Sequence, residues 1–195
     1  MQKSELKLVF YLLQDKHQDK HNVAKSFRQI AEETEMSLGS IQAKMQELTD
    51  KGYIAPSDKG RVLRKRSQLI DWWALGYAES FKEKQLLMRF GFLTPAIRMA
   101  WKEIILPHGT QWSGEPAANI IDGYISPERW EVYVEENANA LIATGRMIPN
   151  PQGEIYVYRK FWKGDEIPTL VIYADLLATG DDRCKEAAER IKLLI

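Results

Sequence analysis

The sequence has a single cysteine, Cys184, in 195 residues, so no internal disulfide framework is open to it, and this usage fits a reducing cytoplasm. Its longest apolar runs are only a few residues, against the roughly 20 that a helix needs to cross a bilayer, so no membrane partner is expected. The start, "MQKSELKLVF", carries acidic Glu5 and no small-residue cleavage site, and a secretory signal is not expected. There is no low-complexity tract. There is also no net charge, with 27 Lys/Arg against 27 Asp/Glu. Neutrality argues against a nucleic-acid partner until its distribution is counted. Residues 1–70 hold 13 basic against 9 acidic side chains, and residues 71–195 hold 14 against 18. The average conceals a basic front on an acidic back.

Several catalytic signatures are missing too. No Gly-rich phosphate loop occurs. No Gly-Ser pair is followed by the paired strand aspartates of a nucleotidyltransferase. The Glu-x-Lys of restriction-type nucleases is found only at Glu5-Leu6-Lys7, in a helical stretch. His17 and His21 are four apart, but they lie in a polar tail, with one cysteine and a distant His108 as company. No zinc site, and no other cofactor, is expected. Asp175, Asp181, Asp182 and Arg183 crowd near the end and invite a metal or phosphoryl-transfer reading. A structural account competes with it. Asp181 and Asp182 open the last helix, where carboxylates offset the helix dipole, and Arg183 pairs with Asp175 or Glu186. Cys184 reads as a quiet thiol, and the six tryptophans, spread through the α/β region, as core.

What is present at the front is a pattern of capped helices. "SELKLVFYLLQDK" (4–16) has apolar residues at helical spacing behind Ser4, and "SFRQIAEETE" (26–35) is a short second helix capped by Ser26. Ser37 caps a third, running to about Lys51, in which Ile41, Met45 and Leu48 share one face. The opposite face carries Gly39, Ser40, Gln42, Ala43, Gln46 and Glu47. Small residues let a backbone approach a duplex, amides bond base edges, and a helix N-terminus offers N–H groups to phosphate. After Gly52, "YIA" and "RVLRK" read as strands around "PSDKG", and five of the eight residues from Lys59 to Arg66 are basic. Helix, helix, turn, helix and basic hairpin is the order of a winged helix-turn-helix. Each feature alone is common, and a charge run is usually a solvated face; their mutual spacing favours the DNA reading. "IAEETEMSLGSIQAKMQELTDKGYI" also resembles the helix-turn-helix of many bacterial regulators.

Beyond Ser67 the pattern changes. "SQLIDWWALGYAESFKEKQLL" predicts a long helix, "MRFGFL", "RWEVYVE" and "GEIYVYRKFW" predict strands, and "TPAIRMAWKEIIL" and "SGEPAANIIDGY" predict helices. Helices are expected over Pro168 to Ala178 and from Asp182, although "TLVIY" suits a strand equally by composition. The expected fold class is α+β: a winged helix-turn-helix over 1–66, then a mixed α/β domain over 67–195, with 67–90 as a connecting helix.

"LIDWWALGY", "LLMRFGF", "WSGEPAA", "YISPERWEVYV" and above all "YADLLATGDDRCKEAAERI" resemble the AbiEi-type antitoxins of type IV toxin–antitoxin systems, over roughly residues 65–195. The resemblance implies a transcriptional repressor of its own operon, acting at inverted repeats in a promoter. It also implies a nucleotidyltransferase-like toxin encoded next door, opposed without required direct contact, and no catalytic residues. The expected partner is double-stranded DNA, bound by a homodimer in the cytoplasm. Ser37, Ser40, Gln42 and Gln46 are the candidates on the third helix, and Lys44, Lys59, Arg61, Arg64, Lys65 and Arg66 are the candidates for phosphate. Two other readings stay open: an enzyme using Asp175, Asp181 and Asp182, and a protein-interaction adaptor.

Overall fold

The computed structural model describes residues 3–14, 21–58, 60–135 and 137–195. The chain divides into two compact units, Met1–Ser80 and Phe81–Ile195. The fold is mixed α+β.

The first unit holds α1 (Lys3–Leu13), α2 (Phe27–Thr34), α3 (Leu38–Asp50), a hairpin of β1 (Ile54–Ser57) and β2 (Gly60–Leu63), and α4 (Arg66–Ser80). Local chemistry sets these limits. Ser26 and Gln29 form a reciprocal capping box that starts α2, and Ser37 Oγ accepts from Ser40 N at 3.3 Å to start α3. At the other end of α3, Gly52 takes φ 76°. The Gly52 and Tyr53 amides then reach back to the carbonyls of Thr49 and Leu48, each at 2.9 Å. That Schellman geometry needs a residue without a Cβ penalty at the turn, which is why "KGY" ends the helix there. The core joins Leu8, Val9 and Leu12 of α1, Ile30 of α2, Ile41, Met45 and Leu48 of α3, and Leu69, Trp73 and Tyr77 of α4, all buried. Trp73 stacks between Phe10 and Tyr77 and donates its indole N–H to Leu6 O at 2.9 Å. Thus α4 belongs with α1. The helix expected over 67–90 stops at Ser80, and residues 82–85 form a 3-10 turn that carries Lys82 into the interior of the second unit.

The second unit is a five-stranded sheet in the order β4-β5-β7-β3-β6. Its strands are β3 (Leu86–Phe92), β4 (Thr110–Ser113), β5 (Trp130–Val134), β6 (Met147–Pro149) and β7 (Ile155–Arg159), and only β5 and β7 pair in parallel. Its helices are α5 (Pro95–Met99), α6 (Gly114–Asp122), α7 (Thr169–Ala178) and α8 (Asp182–Lys192). All five residues of β5 are buried. With a side-chain period of two, Trp130, Val132 and Val134 join the apolar cluster of Phe90, Trp101, Ile104, Leu141 and Val157, while Glu131 and Tyr133 face the other way, toward Asp175 of α7. Helix α7 has seven consecutive buried residues, Leu170 to Leu176. That resolves the ambiguity of "TLVIY": the segment is apolar all round because the helix is covered all round. The helix expected from Thr94 is shorter than its sequence pattern; α5 ends at Met99 and a 3-10 turn follows over Trp101–Glu103. Among the described residues, no helix is long and apolar enough to cross a membrane.

Candidate nucleic-acid interface

The surface under test is built by α3. Burial of Ile41, Met45 and Leu48, at 0%, 1% and 2% exposure, turns the remaining residues of the helix outward. Gln42, Ala43, Gln46 and Glu47 are exposed, and Ser40 and Lys44 are half-buried on one flank. Gly39 is exposed, and a Cβ added to it would meet nothing within 4 Å. Gln46 donates from Nε2 to Asp50 Oδ1 at 2.8 Å, which fixes the amide but leaves its oxygen facing solvent. Ser37 is exposed, with its hydroxyl engaged as the cap of α3.

The basic run that follows does not act as one patch. Arg61 Nε and Nη2 donate to the carbonyls of Val23 and Lys25 at 3.0 and 2.5 Å, and its guanidinium lies 4.4 Å from the Phe27 ring centre. Burial lowers its pKa from the ordinary arginine value. Arg66 opens α4 and donates from Nη2 to Leu13 O at 3.1 Å. These two side chains tie the hairpin and α4 to the rest of the unit, a role their sequence positions did not reveal. Arg64 and Lys65 are exposed. Lys65 takes a left-handed φ of 50°, and its Nζ stands 3.7 Å from where a Cβ on Gly52 would be. Lys59 lies outside the described residues, as do His17 and Lys20. The charge asymmetry is also smaller on the structural unit than on residues 1–70: Met1–Ser80 carries 13 basic and 11 acidic side chains. Placement of individual cations therefore matters more than bulk charge. Two exposed residues of α2 and α3 were not singled out from the sequence: Arg28 on α2 and Leu38, the first residue of α3 and 37% exposed. Leu38 has a distinguishing mark, an apolar side chain in a capped first turn at i−4 from Gln42.

The second unit contains a different concentration of charge, centred on three buried groups, Lys82, Glu131 and Asp175. Lys82 Nζ lies 2.8 Å from Glu131 Oε1 and 2.9 Å from Asp175 Oδ1. Ser113 Oγ and Tyr133 OH donate to Asp175, and Arg129 Nε lies 2.8 Å from Glu131 Oε1. Burial pulls the Lys82 pKa down, but Asp175 and Glu131 outweigh it and hold the ammonium above its ordinary value. Burial raises the Glu131 carboxyl, against the pull of Lys82. The carboxylates of the enzymatic reading do not share this site. Asp175 is fully buried, whereas Asp181 accepts from Arg183 N as the cap of α8 and the Asp182 side chain is 96% exposed. Arg183 pairs with Glu115 Oε2 at 3.0 Å, not with Asp175 or Glu186 as the sequence suggested. Among the described residues, no three His, Cys, Asp or Glu side chains gather as a metal site.

The strings "WSGEPAA" and "YADLLATGDDRCKEAA" acquire a physical meaning here. The first places Ser113 on Asp175 and Glu115 on Arg183; the second supplies Asp175, Arg183 and Cys184. Comparison with known proteins agrees with them. Residues 61–194 match the family model described as transcriptional regulator, AbiEi antitoxin, type IV toxin–antitoxin system. Residues 1–70 are similar to a second family, the Firmicute plasmid replication protein RepL. No curated protein and no solved structure matches the chain. The chain belongs to the AbiEi antitoxin family of transcriptional regulators of type IV toxin–antitoxin systems.

Proposed function

We propose that this regulator binds double-stranded DNA in a sequence-specific way and represses its own operon. In this reading α3 lies in the major groove and the hairpin rests on the adjoining backbone. The observation that carries the proposal is the one-sided burial of α3, with amide and very small side chains left in solvent around an unobstructed Gly39. Gln42, Gln46 and Ser40 contact base edges. Arg64, Lys65 and Lys44 contact phosphates, and the free N–H groups behind Ser37 add an anion site at the start of α3. Lys59 is a further candidate for phosphate contact. Arg61 and Arg66 hold the module together. Likeness of residues 1–70 to a plasmid replication family supports a front unit that works on DNA.

The operator is an inverted repeat in the promoter, and a homodimer in the cytoplasm reads it, with half-sites separated by a whole number of helical turns, each about 10 bp. A nucleotidyltransferase-like toxin encoded alongside is the genetic partner, opposed without direct contact. The reading excludes a catalytic role for Asp175, Asp181 and Asp182. Support for that exclusion is their separation into a buried ion cluster and an exposed helix cap.

The test is fluorescence anisotropy of the full chain on duplexes from its own upstream region, at several salt concentrations. Wild type is expected to prefer one duplex, with affinity falling steeply as salt rises. The double variant Arg64→Ala/Lys65→Ala should lose affinity for every duplex and shed a little under two units of the log–log salt slope, about 0.9 per phosphate contact. Unchanged affinity and slope in that variant would remove the hairpin from the interface.

A further inference from the structure

The outward face of α3 is unusual in what it lacks. Reading guanine through O6 and N7 relies on arginine or lysine, whose donors match two acceptors. From Leu38 to Asp50 the helix has one cation, Lys44, half-buried on the flank it shares with Ser40. The exposed positions are Leu38, Gly39, Gln42, Ala43, Gln46, Glu47, Thr49 and Asp50. Two of these are amides, which pair with adenine N6 and N7. Two others, Leu38 and Ala43, are apolar, and in the major groove the only apolar group of a base is the thymine methyl.

The geometry makes a pair of these features. Leu38 and Gln42 are one turn apart, so their side chains sit side by side on the helix surface. The side chain of Leu38 is 37% exposed although its helix buries three apolar residues on another face. Asp50 takes one donor of Gln46, leaving the amide one N–H and its oxygen, the two groups that adenine needs.

Resting on the reading of α3 as the groove-facing helix, we infer that the operator half-site is an A·T tract. Leu38 packs on a thymine methyl, and Gln42 and Gln46 bond the adenines. The exposed face carries no cation to match the two acceptors of guanine, so G·C pairs are disfavoured there because guanine O6 meets the amide oxygen where adenine N6 donates to it, and because the methyl is absent. Specificity depends on methyl contact as much as on hydrogen bonds.

Selection of the full chain against a randomised duplex library, followed by thymine-to-uracil replacement, tests this. Deoxyuridine keeps every hydrogen bond of thymine and removes only the methyl. The expected result is an enriched half-site with A·T pairs at its centre, and one uracil position that weakens wild type about fourfold, the loss for one buried methyl. Leu38→Ala should bind the thymine and uracil duplexes equally. Because Leu38 is exposed, the variant keeps the wild-type melting profile. Gln42→Ala should tolerate replacement of one adenine while retaining the uracil effect. Enrichment of G·C pairs at the centre, or the same thymine-to-uracil ratio in Leu38→Ala as in wild type, overturns the inference and leaves the DNA-binding role standing. A library from which nothing is enriched and nothing retained overturns both.

Discussion

Lys82 Nζ lies 2.9 Å from Asp175 Oδ1, with the two side chains 3% and 0% exposed. The pair joins the turn before β3 to the middle of α7, and Glu131 on β5 closes the third side. Lys82, Glu131 and Asp175 are buried, and Arg129, whose side chain is 32% exposed, adds a second cation on Glu131 from the edge of the cluster. A buried pair of this kind is costly to leave half made, because the surviving partner keeps its desolvation penalty.

Lys82→Met should therefore destabilise the second unit by about 3–5 kcal/mol at neutral pH. The sign with pH follows from the shifts. Lys82 is held above its ordinary pKa, so its contribution is complete at neutral pH and is lost only as pH rises beyond the ordinary lysine value of about 10.4. In acid the Glu131 carboxyl, raised by burial and deprived of Lys82 in the variant, takes up a proton, and the gap to wild type narrows. Urea titrations of both proteins across pH check this; a gap that is flat or widens toward acid would mean that the cluster is not ionic.

Arg61 offers a contrast with Arg64 and Lys65. Its guanidinium bonds two carbonyls and lies over Phe27, so Arg61→Ala should lower the stability of the first unit by about 1–3 kcal/mol, the scale for hydrogen bonds from a charged group. Arg64→Ala should leave the melting curve in place. Thermal melts separate the two. Equal losses of stability in both variants would show that the hairpin is not divided into anchors and exposed cations.

Gly39 tests the open face directly. With nothing within 4 Å of an added Cβ, Gly39→Leu should not strain the fold, and the better helix propensity of leucine should raise stability by roughly 0.5–1 kcal/mol. The same side chain would hold the helix off a duplex. A variant that is more stable yet at least tenfold weaker on DNA is the expected outcome, read by melting and anisotropy together. Undiminished DNA binding would exclude this side of α3 from the interface.

Much of this fold is legible in the sequence, and for local reasons. Ser26, Ser37 and Gly52 punctuate the first unit by capping geometry that depends on neighbours four residues away at most. The spacing of Ile41, Met45 and Leu48 predicts the face that α3 buries. What the sequence hides is long-range. Arg61 reaches carbonyls 38 and 36 residues earlier in the chain, so no window shows that its charge is committed. Glu131 sits on an apolar strand and looks like an outward residue, because its buried counterion Lys82 comes from 49 residues earlier and only Arg129 is close by in sequence. Helix α7 could pass for a strand until α8 and the sheet cover both its sides. Strand β6, of three residues, is too short to leave a period.

Cys184 carries the last prediction. It is fully buried at the start of α8, 3.5 Å from Glu115 Oε1. Burial pushes its thiol up to about 11, and the Glu115 carboxylate adds to the shift. Since the thiolate is the reactive form, the native protein at pH 8 should resist alkylation and should label fully only in denaturant. The linkage has a definite sign. An acid whose folded pKa is raised holds its proton more firmly in the native state, so the stability it contributes is complete below the ordinary thiol value of about 8.5 and declines as pH rises toward the shifted one. Cys184→Ala should accordingly flatten the alkaline limb of the stability curve between those values while costing a little stability below them. Rapid stoichiometric labelling of native protein would instead mean that the first turn of α8 opens readily, and that the Arg183–Glu115 pair beside it does not hold α8 against α6.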